Sequence, residues 1–300
     1  MRPSTPPDSV AVYPSDLRDL VEEALGRYLP GPEGYPQVLF EAMAHTLFAG
    51  GKRYRPVLHL ASGRALGVGP EILLPTACAL ELVHTYSLIH DDLPSIDDDD
   101  YRRGRPTCHK VFGEDIAILA GDALFAEAFH LISARQQGRP ELVLRVLREL
   151  ADISGVHGMV GGQVLDIRTE PGTATPESLR LIHLNKTARL ISFAARSAAV
   201  LAGAPENVIG TLTAFGLRLG IAFQIVDDLL DVLGEQEALG KTPGSDIRKS
   251  KATYASLLGV EAARREAAQE IEAAERELDL GGVPGDELKN LARFVLARSG

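Results

Sequence analysis

The sequence predicts an all-α fold in one domain, and three observations carry that expectation. Ala, Leu, Glu and Arg dominate the composition, period-2 alternation is missing, and apolar residues recur at helical spacing between short Gly/Pro breaks. Taken in order, the periodicity predicts helices over 15–29, 35–48, 54–66, 71–92, 114–136, 140–159, 176–203, 206–233, 251–278 and 285–297. The breaks fall at Pro30-Gly31-Pro32, Gly67-Val68-Gly69-Pro70, Gly138-Arg139-Pro140 and Glu170-Pro171-Gly172. Thr175-Pro176-Glu177 puts a hydroxyl at an N-cap and a proline at the first helical position. Segments 71–90 and 206–233 are apolar nearly all round and belong in the middle of a bundle. Segment 261–278 is polar with an Ala/Leu stripe and belongs outside. No linker divides the chain, so residues 15–300 read as one helical bundle and 1–14, rich in Pro and Ser, as a disordered lead-in.

The 300 residues suffice for a substantial core. A formal net charge of −10 argues against general nucleic-acid binding, which needs a basic face. The two cysteines, Cys78 and Cys108, form no CxxC pair, so zinc and disulfides are not expected and a cytoplasmic setting is. The first residues lack the apolar core of a signal peptide, and no uninterrupted apolar run reaches the length of a membrane span.

Two acidic groups stand against this apolar background. SLIHDDLPSIDDDDYRRGRP, residues 87–106, ends a buried-looking helix in Asp91 and Asp92, followed by Asp97 to Asp100. FQIVDDLLD carries Asp227, Asp228 and Asp231, of which Asp227 and Asp231 share one helical face about 6 Å apart. Carboxylates on apolar helices are costly to bury unpaired. One function explains both groups: each lines a cleft and holds hard cations, which take carboxylate oxygens together with substrate phosphates. Pro94 ends or kinks the first helix near Leu93, so Asp97 must turn back over the helix end to share a metal with Asp91. Asp98 to Asp100 read as a solvated run.

The cations form a second set. Lys52, Arg53 and Arg55 flank the Gly50-Gly51 turn, Arg102 and Arg103 follow the aspartates, and Lys186 and Lys241 lie downstream. Together they suit an anion site separate from the metal site, since arginine forks match phosphate oxygens and lysine acts as a point charge.

The ordered set GGKRYRP, HTYSLIHDDLPSIDDDDYRRGRPTCHKVFGEDIAILAGDAL, GGQVLDI, NKTARLI, FQIVDDLLD and LGKTPGSDIRKSKATYASLLG resembles the trans short-chain isoprenyl diphosphate synthases, which include farnesyl and geranylgeranyl diphosphate synthases. The resemblance implies an isoprenoid-synthase-type helical bundle around a deep central cavity, as a homodimer. It also implies three Mg2+ ions, with Mn2+ as a possible substitute, between the aspartate motifs and the diphosphate of an allylic substrate. Position by position, it makes Asp91 and Asp97 metal ligands with Asp92 close by, and Asp227 the principal second-motif ligand supported by Asp228 and Asp231. Arg102, Lys186, Thr187, Gln224 and Lys241 correspond to groups around the allylic diphosphate. Lys52, Arg55, His84 and Arg103 correspond to the isopentenyl diphosphate site. Gln163 and Asp166 help shape the cavity. Tyr86 and Ser87, one turn deeper than Asp91, correspond to the positions that limit product length, and the aromatic favours a C15 product over C20. His109 reads as structural, and Arg189, where an apolar residue is more usual, is expected to point outward. Two other readings differ in class. A class I terpene cyclase has no second diphosphate to bind, and a regulatory subunit of a prenyl synthase often loses aspartates that are present here.

Overall fold

The computed structural model describes residues 13–29, 31, 36–169, 172–233 and 253–299. The helices are α1 (Ser15–Tyr28), α2 (Gln37–Leu47), α3 (Tyr54–Ala65), α4 (Pro70–Asp91), α5 (Cys108–Phe112), α6 (Glu114–Arg135), α7 (Pro140–Ser154), α8 (Met159–Arg168), α9 (Pro176–His183), α10 (Arg189–Leu201) and α11 (Glu206–Leu233). A π turn, Leu184–Ala188, joins α9 to α10, and helices Tyr254–Leu258, Val260–Leu280 and Asp286–Leu296 follow.

Helices α4 and α11 are central. Both bury residues around their whole circumference, and α11 packs on α10 and on Val260–Leu280, while α4 packs on α3 and α6. Each fully buried Leu contributes about 2 kcal/mol relative to exposure, so the apolar helices take the centre. Val260–Leu280 buries only a stripe, Ala263, Ala267, Glu270, Ile271, Ala274 and Leu278, as an outer helix does. Among the described residues three helices, α4, α6 and α11, are by length and composition apolar enough to cross a membrane, which the uninterrupted-run criterion does not register. In α4 that apolar surface serves the core, with 78% of the window buried. Helix α6 buries Ala117, Ala120, Gly121 and Leu124 on one side yet leaves Ile118 and Leu119 exposed on the other.

Several local features depart from the sequence expectation, the short α5 among them. Helix α7 ends at Ser154, where Gly155 follows, rather than at 159, and α8 forms where no helix was expected. The 176–203 helix contains the π turn. The 251–278 helix is split by Gly259, whose φ of 84° favours glycine. The RRG segment forms a two-residue hairpin between β1 (Tyr101–Arg102) and β2 (Arg105–Pro106). Its central residues, Arg103 and Gly104, both have positive φ, 52° and 74°, as a type I′ turn requires. Tyr13, at the edge of the presumed lead-in, stacks on Phe294 at 4.7 Å and donates its hydroxyl to the Lys52 carbonyl.

Candidate active site

One large cavity of about 1270 Å³ opens between α3, α4, α8, the π turn and α11. Asp91 and Asp97 line it from the end of α4, and Asp227 from α11. Asp97 reaches the mouth by the return that Pro94 demands. Its N–H donates to the Asp91 carbonyl at 2.8 Å, that of Asp98 to Leu93 at 3.0 Å and that of Asp99 to Asp92 at 3.3 Å. The loop thus folds over the helix end and satisfies carbonyls that the helix leaves open.

Asp99, expected in a solvated run, is instead buried beside Arg102 at 3.9 Å and also lines the cavity, while the remaining aspartates of the two motifs face other partners. Asp92 is buried and accepts a fork from Arg102, with Nε at 2.8 Å and Nη2 at 2.5 Å from Oδ1. Burial pushes its carboxyl up to about 6, against the pull of Arg102. Asp228 accepts from the Tyr254 N–H at 3.0 Å and from Gln224 Nε2 at 3.2 Å. Asp231 is fully buried and does not line the cavity. Asp98, Asp100 and His109 offer ligand atoms within 4.8 Å of one another, but Lys110 Nζ already lies 2.7 Å from Asp100.

The cations of the cavity have different partners. Lys186 Nζ bonds Asp166 at 2.7 Å on the cavity wall. Burial alone would lower its ammonium, but Asp166, Asp91 and Asp97 outweigh it and hold the group well above its usual range. The π turn sets this position. The extra residue per turn redirects Lys186 and Thr187 toward the cavity. Thr187 then donates to Gln224 Oε1 at 2.8 Å. Helix α8 approaches the turn so closely that a Cβ at Gly162 would collide with the Lys186 backbone nitrogen and lie 2.8 Å from its Cα. Gly162→Ala is therefore expected to push the two apart, costing about 1–3 kcal/mol of stability and lowering kcat roughly tenfold or more by moving Lys186. Thermal melting and steady-state kinetics check this, and wild-type values for both would exclude the contact as a determinant.

Lys52, Arg55, His84 and Arg103 line the same cavity, with Lys52 and Arg55 within electrostatic reach of Asp227. Arg103 donates to the Gly50 carbonyl, and a Cβ on Gly51 would meet its guanidinium at 2.9 Å, so the Gly-Gly turn admits the arginine. Burial, reinforced by Arg55, Arg103 and Arg102, holds the His84 imidazole well below its usual range, so it sits neutral among cations. Arg53 also borders the cavity but is committed to other partners. It bonds Glu22, Glu81 and the Leu47 carbonyl and ties the turn to α1 and α4. Lys241 lies outside the described residues.

Tyr86 and Ser87 line the cavity one turn below Asp91. The Tyr86 ring packs edge-on against Phe125 at 4.8 Å, which packs on Phe129 at 5.1 Å. Ser87 bonds back to the His84 carbonyl at 2.8 Å. Gln163 also lines the cavity, and its amide finds no hydrogen-bond partner among the described residues. Arg189 does not line the cavity and bonds Asn185 at 2.8 Å. Phe223, which sequence reasoning passed over, carries Arg55 at 5.9 Å and Arg298 at 4.8 Å from its ring centroid. Its place beside Gln224 in the second motif was the available signal. Arg298 follows a helix near the chain end, where no motif marks it.

Carboxylates from two helices and cations from two directions thus share one cavity. Residues 36–279 match the model of the polyprenyl synthetase family. The chain belongs to the polyprenyl synthetase family. Within it, the chain is 47% identical to a farnesyl diphosphate synthase of Geobacillus stearothermophilus, covering 97% of this chain and 98% of that one. It is 42% identical to a geranylgeranyl diphosphate synthase of Cyanophora paradoxa over the full length of both. Among solved structures, a geranyltransferase from Helicobacter pylori complexed with magnesium and isoprenyl diphosphate aligns with a TM-score of 0.86 at 32% identity, over 99% of this chain and all of that one. The family's all-α fold is the one described above.

Proposed function

We propose that this chain is a farnesyl diphosphate synthase, which condenses dimethylallyl and then geranyl diphosphate with isopentenyl diphosphate in trans, head to tail. Membership of the polyprenyl synthetase family makes it a prenyltransferase. The observation that carries the C15 assignment is the Tyr86 ring beneath the aspartates, backed by Phe125.

The donor set suits Mg2+. Asp91, Asp97 and Asp227 supply hard oxygens on one cavity, with cations placed for phosphate rather than soft ligands. We assign these three as metal ligands to three Mg2+ ions, or Mn2+ in their place, and Asp92, Asp228 and Asp231 as the groups that orient Arg102, Gln224 and the helix around them. When bound, Mg2+ neutralises the charge that develops on the leaving diphosphate. Lys186, Arg102 and Lys241 bind that same diphosphate and favour ionisation of the allylic C–O bond. Lys52, Arg55, Arg103 and neutral His84 hold isopentenyl diphosphate without metal, so that its double bond attacks the allylic C1. Thr187 uses its proton on Gln224 and keeps oxygen lone pairs for the carbocation, assisted by the Lys186 carbonyl and Gln224. The proton lost in the last step goes to the released diphosphate. Tyr86, Leu88, Phe223 and the α8 residues Val160, Val164 and Ile167 give the cavity apolar walls that keep water from the cation.

A homodimer belongs to this reading, supported by the exposed Ile118 and Leu119 on apolar α6. So does a cytoplasmic setting, supported by two buried free cysteines. Tyr86→Ala tests the product assignment. Chromatography of dephosphorylated products is expected to move from C15 to C20 or longer, while wild type gives C15. An unchanged distribution removes Tyr86 as the floor, and a C20 product from wild type assigns a geranylgeranyl diphosphate synthase instead. Incorporation of labelled isopentenyl diphosphate by the purified chain alone separates both from a terpene cyclase and from a regulatory subunit.

A further inference from the structure

Asp227 already has a cation beside it. Arg298 Nη2 lies 3.0 Å from Asp227 Oδ1, and the Arg298 side chain is only 10% exposed. The guanidinium rests over the Phe223 ring at 4.8 Å, one residue from Gln224 and one turn from Asp227, and lines the cavity itself. The turn Ala297–Ser299 that carries it continues helix Asp286–Leu296, whose Phe294 supports Lys52 at 4.9 Å. The arginine is therefore seated by packing as well as by charge.

We propose that Arg298 is a built-in counter-ion that occupies the metal side of Asp227 in the unloaded enzyme and is displaced when a divalent cation binds there. The inference rests on the assignment of Asp227 as a metal ligand. A carboxylate on this apolar helix is costly to leave uncompensated, and a guanidinium at 3.0 Å compensates it without metal. The same oxygen cannot hold that arginine and take a divalent cation at coordination distance without strong like-charge repulsion. Arg298 is thus a positioning residue. It holds the second motif in place before loading, and it makes metal entry and withdrawal of the C-terminal turn one event.

The test is a Mn2+ titration of the full-length protein without substrate, following free Mn2+ by electron paramagnetic resonance. Wild type, Arg298→Gln, Arg298→Lys and the double variant Arg298→Gln/Asp227→Asn are compared. Arg298→Gln is expected to bind the metal roughly fivefold more tightly, the equivalent of one partly buried ion pair. Arg298→Lys keeps the charge and stays near wild type, and the double variant loses the gain. Equal dissociation constants for wild type and Arg298→Gln would overturn the inference and leave the metal assignment standing. So would a gain that survives in the double variant. Absence of Mn2+ binding in both wild type and Arg298→Gln would overturn the metal assignment and the inference together. Thermal melting without metal accompanies each titration, because a merely packing role for Arg298 would change the melting temperature without moving the metal constant.

Discussion

Asp91→Ala or Asp227→Ala is expected to lower kcat by about 10²–10³ at saturating Mg2+, with little change in the KM for isopentenyl diphosphate. Each substitution removes a hard oxygen from the side of the cavity where charge develops on the leaving group, and removing one such stabilising contact costs about 2.7–4 kcal/mol of barrier. Little change is expected for the second substrate because the cations assigned to it, Lys52, Arg55, His84 and Arg103, all remain in the cavity. Steady-state kinetics with geranyl diphosphate check the split. Wild-type turnover in either variant would contradict the assignment. A rise confined to the isopentenyl diphosphate KM would show that the two phosphate sites had been exchanged.

The largest stability effect is expected at Arg53. Its side chain is 0% exposed and bonds Glu81, itself 3% exposed, at 2.8 Å, with Glu22 at 2.7 Å and the Leu47 carbonyl at 2.7 Å. Arg53→Ala strands the Glu81 carboxylate inside the bundle and is expected to cost about 3–5 kcal/mol. The melting temperature should fall by roughly 5–10 °C for a domain of this size. Glu22→Ala is expected to cost far less, since Glu22 is 38% exposed and water can replace its contact. Arg53→Met combined with Glu81→Met should recover much of the loss, because no charge is then left unpaired. A single Arg53→Ala variant within 1 kcal/mol of wild type, by urea or thermal unfolding, would refute the account.

Much of this was legible in the chain because period and composition are local. The all-round apolar character of 71–90 and 206–233 was enough to place those helices centrally, and the stripe of 261–278 was enough to place it outside. Pro94 was enough to require the return of Asp97, which the Asp97 N–H to Asp91 carbonyl bond describes. Helix α8 escaped notice and was not among the expected helices; the use of its Gly162 lies in a close approach to a turn that is distant in sequence. The hairpin at Arg103-Gly104 escaped because two such short strands carry no period.

The residue types at the site, and their order, were determined by the sequence. It could not say which carboxylate faces which partner. The aspartates of the two motifs look alike, yet Asp91, Asp97, Asp99 and Asp227 line the cavity, Asp92 meets Arg102, Asp228 meets Tyr254 and Asp231 is buried. Likewise Arg53 and Arg55 stand two residues apart and both border the cavity, but Arg53 ties helices together through Glu22 and Glu81 while Arg55 lies over Phe223. The pairing of Arg298 with Asp227 lies further still from any local signal. A helix repeats every few residues, so the chain specifies its own faces. What each face meets is set by packing between segments tens to hundreds of residues apart, and only the tertiary structure decides whether a charge finds a metal site, a counter-ion or water.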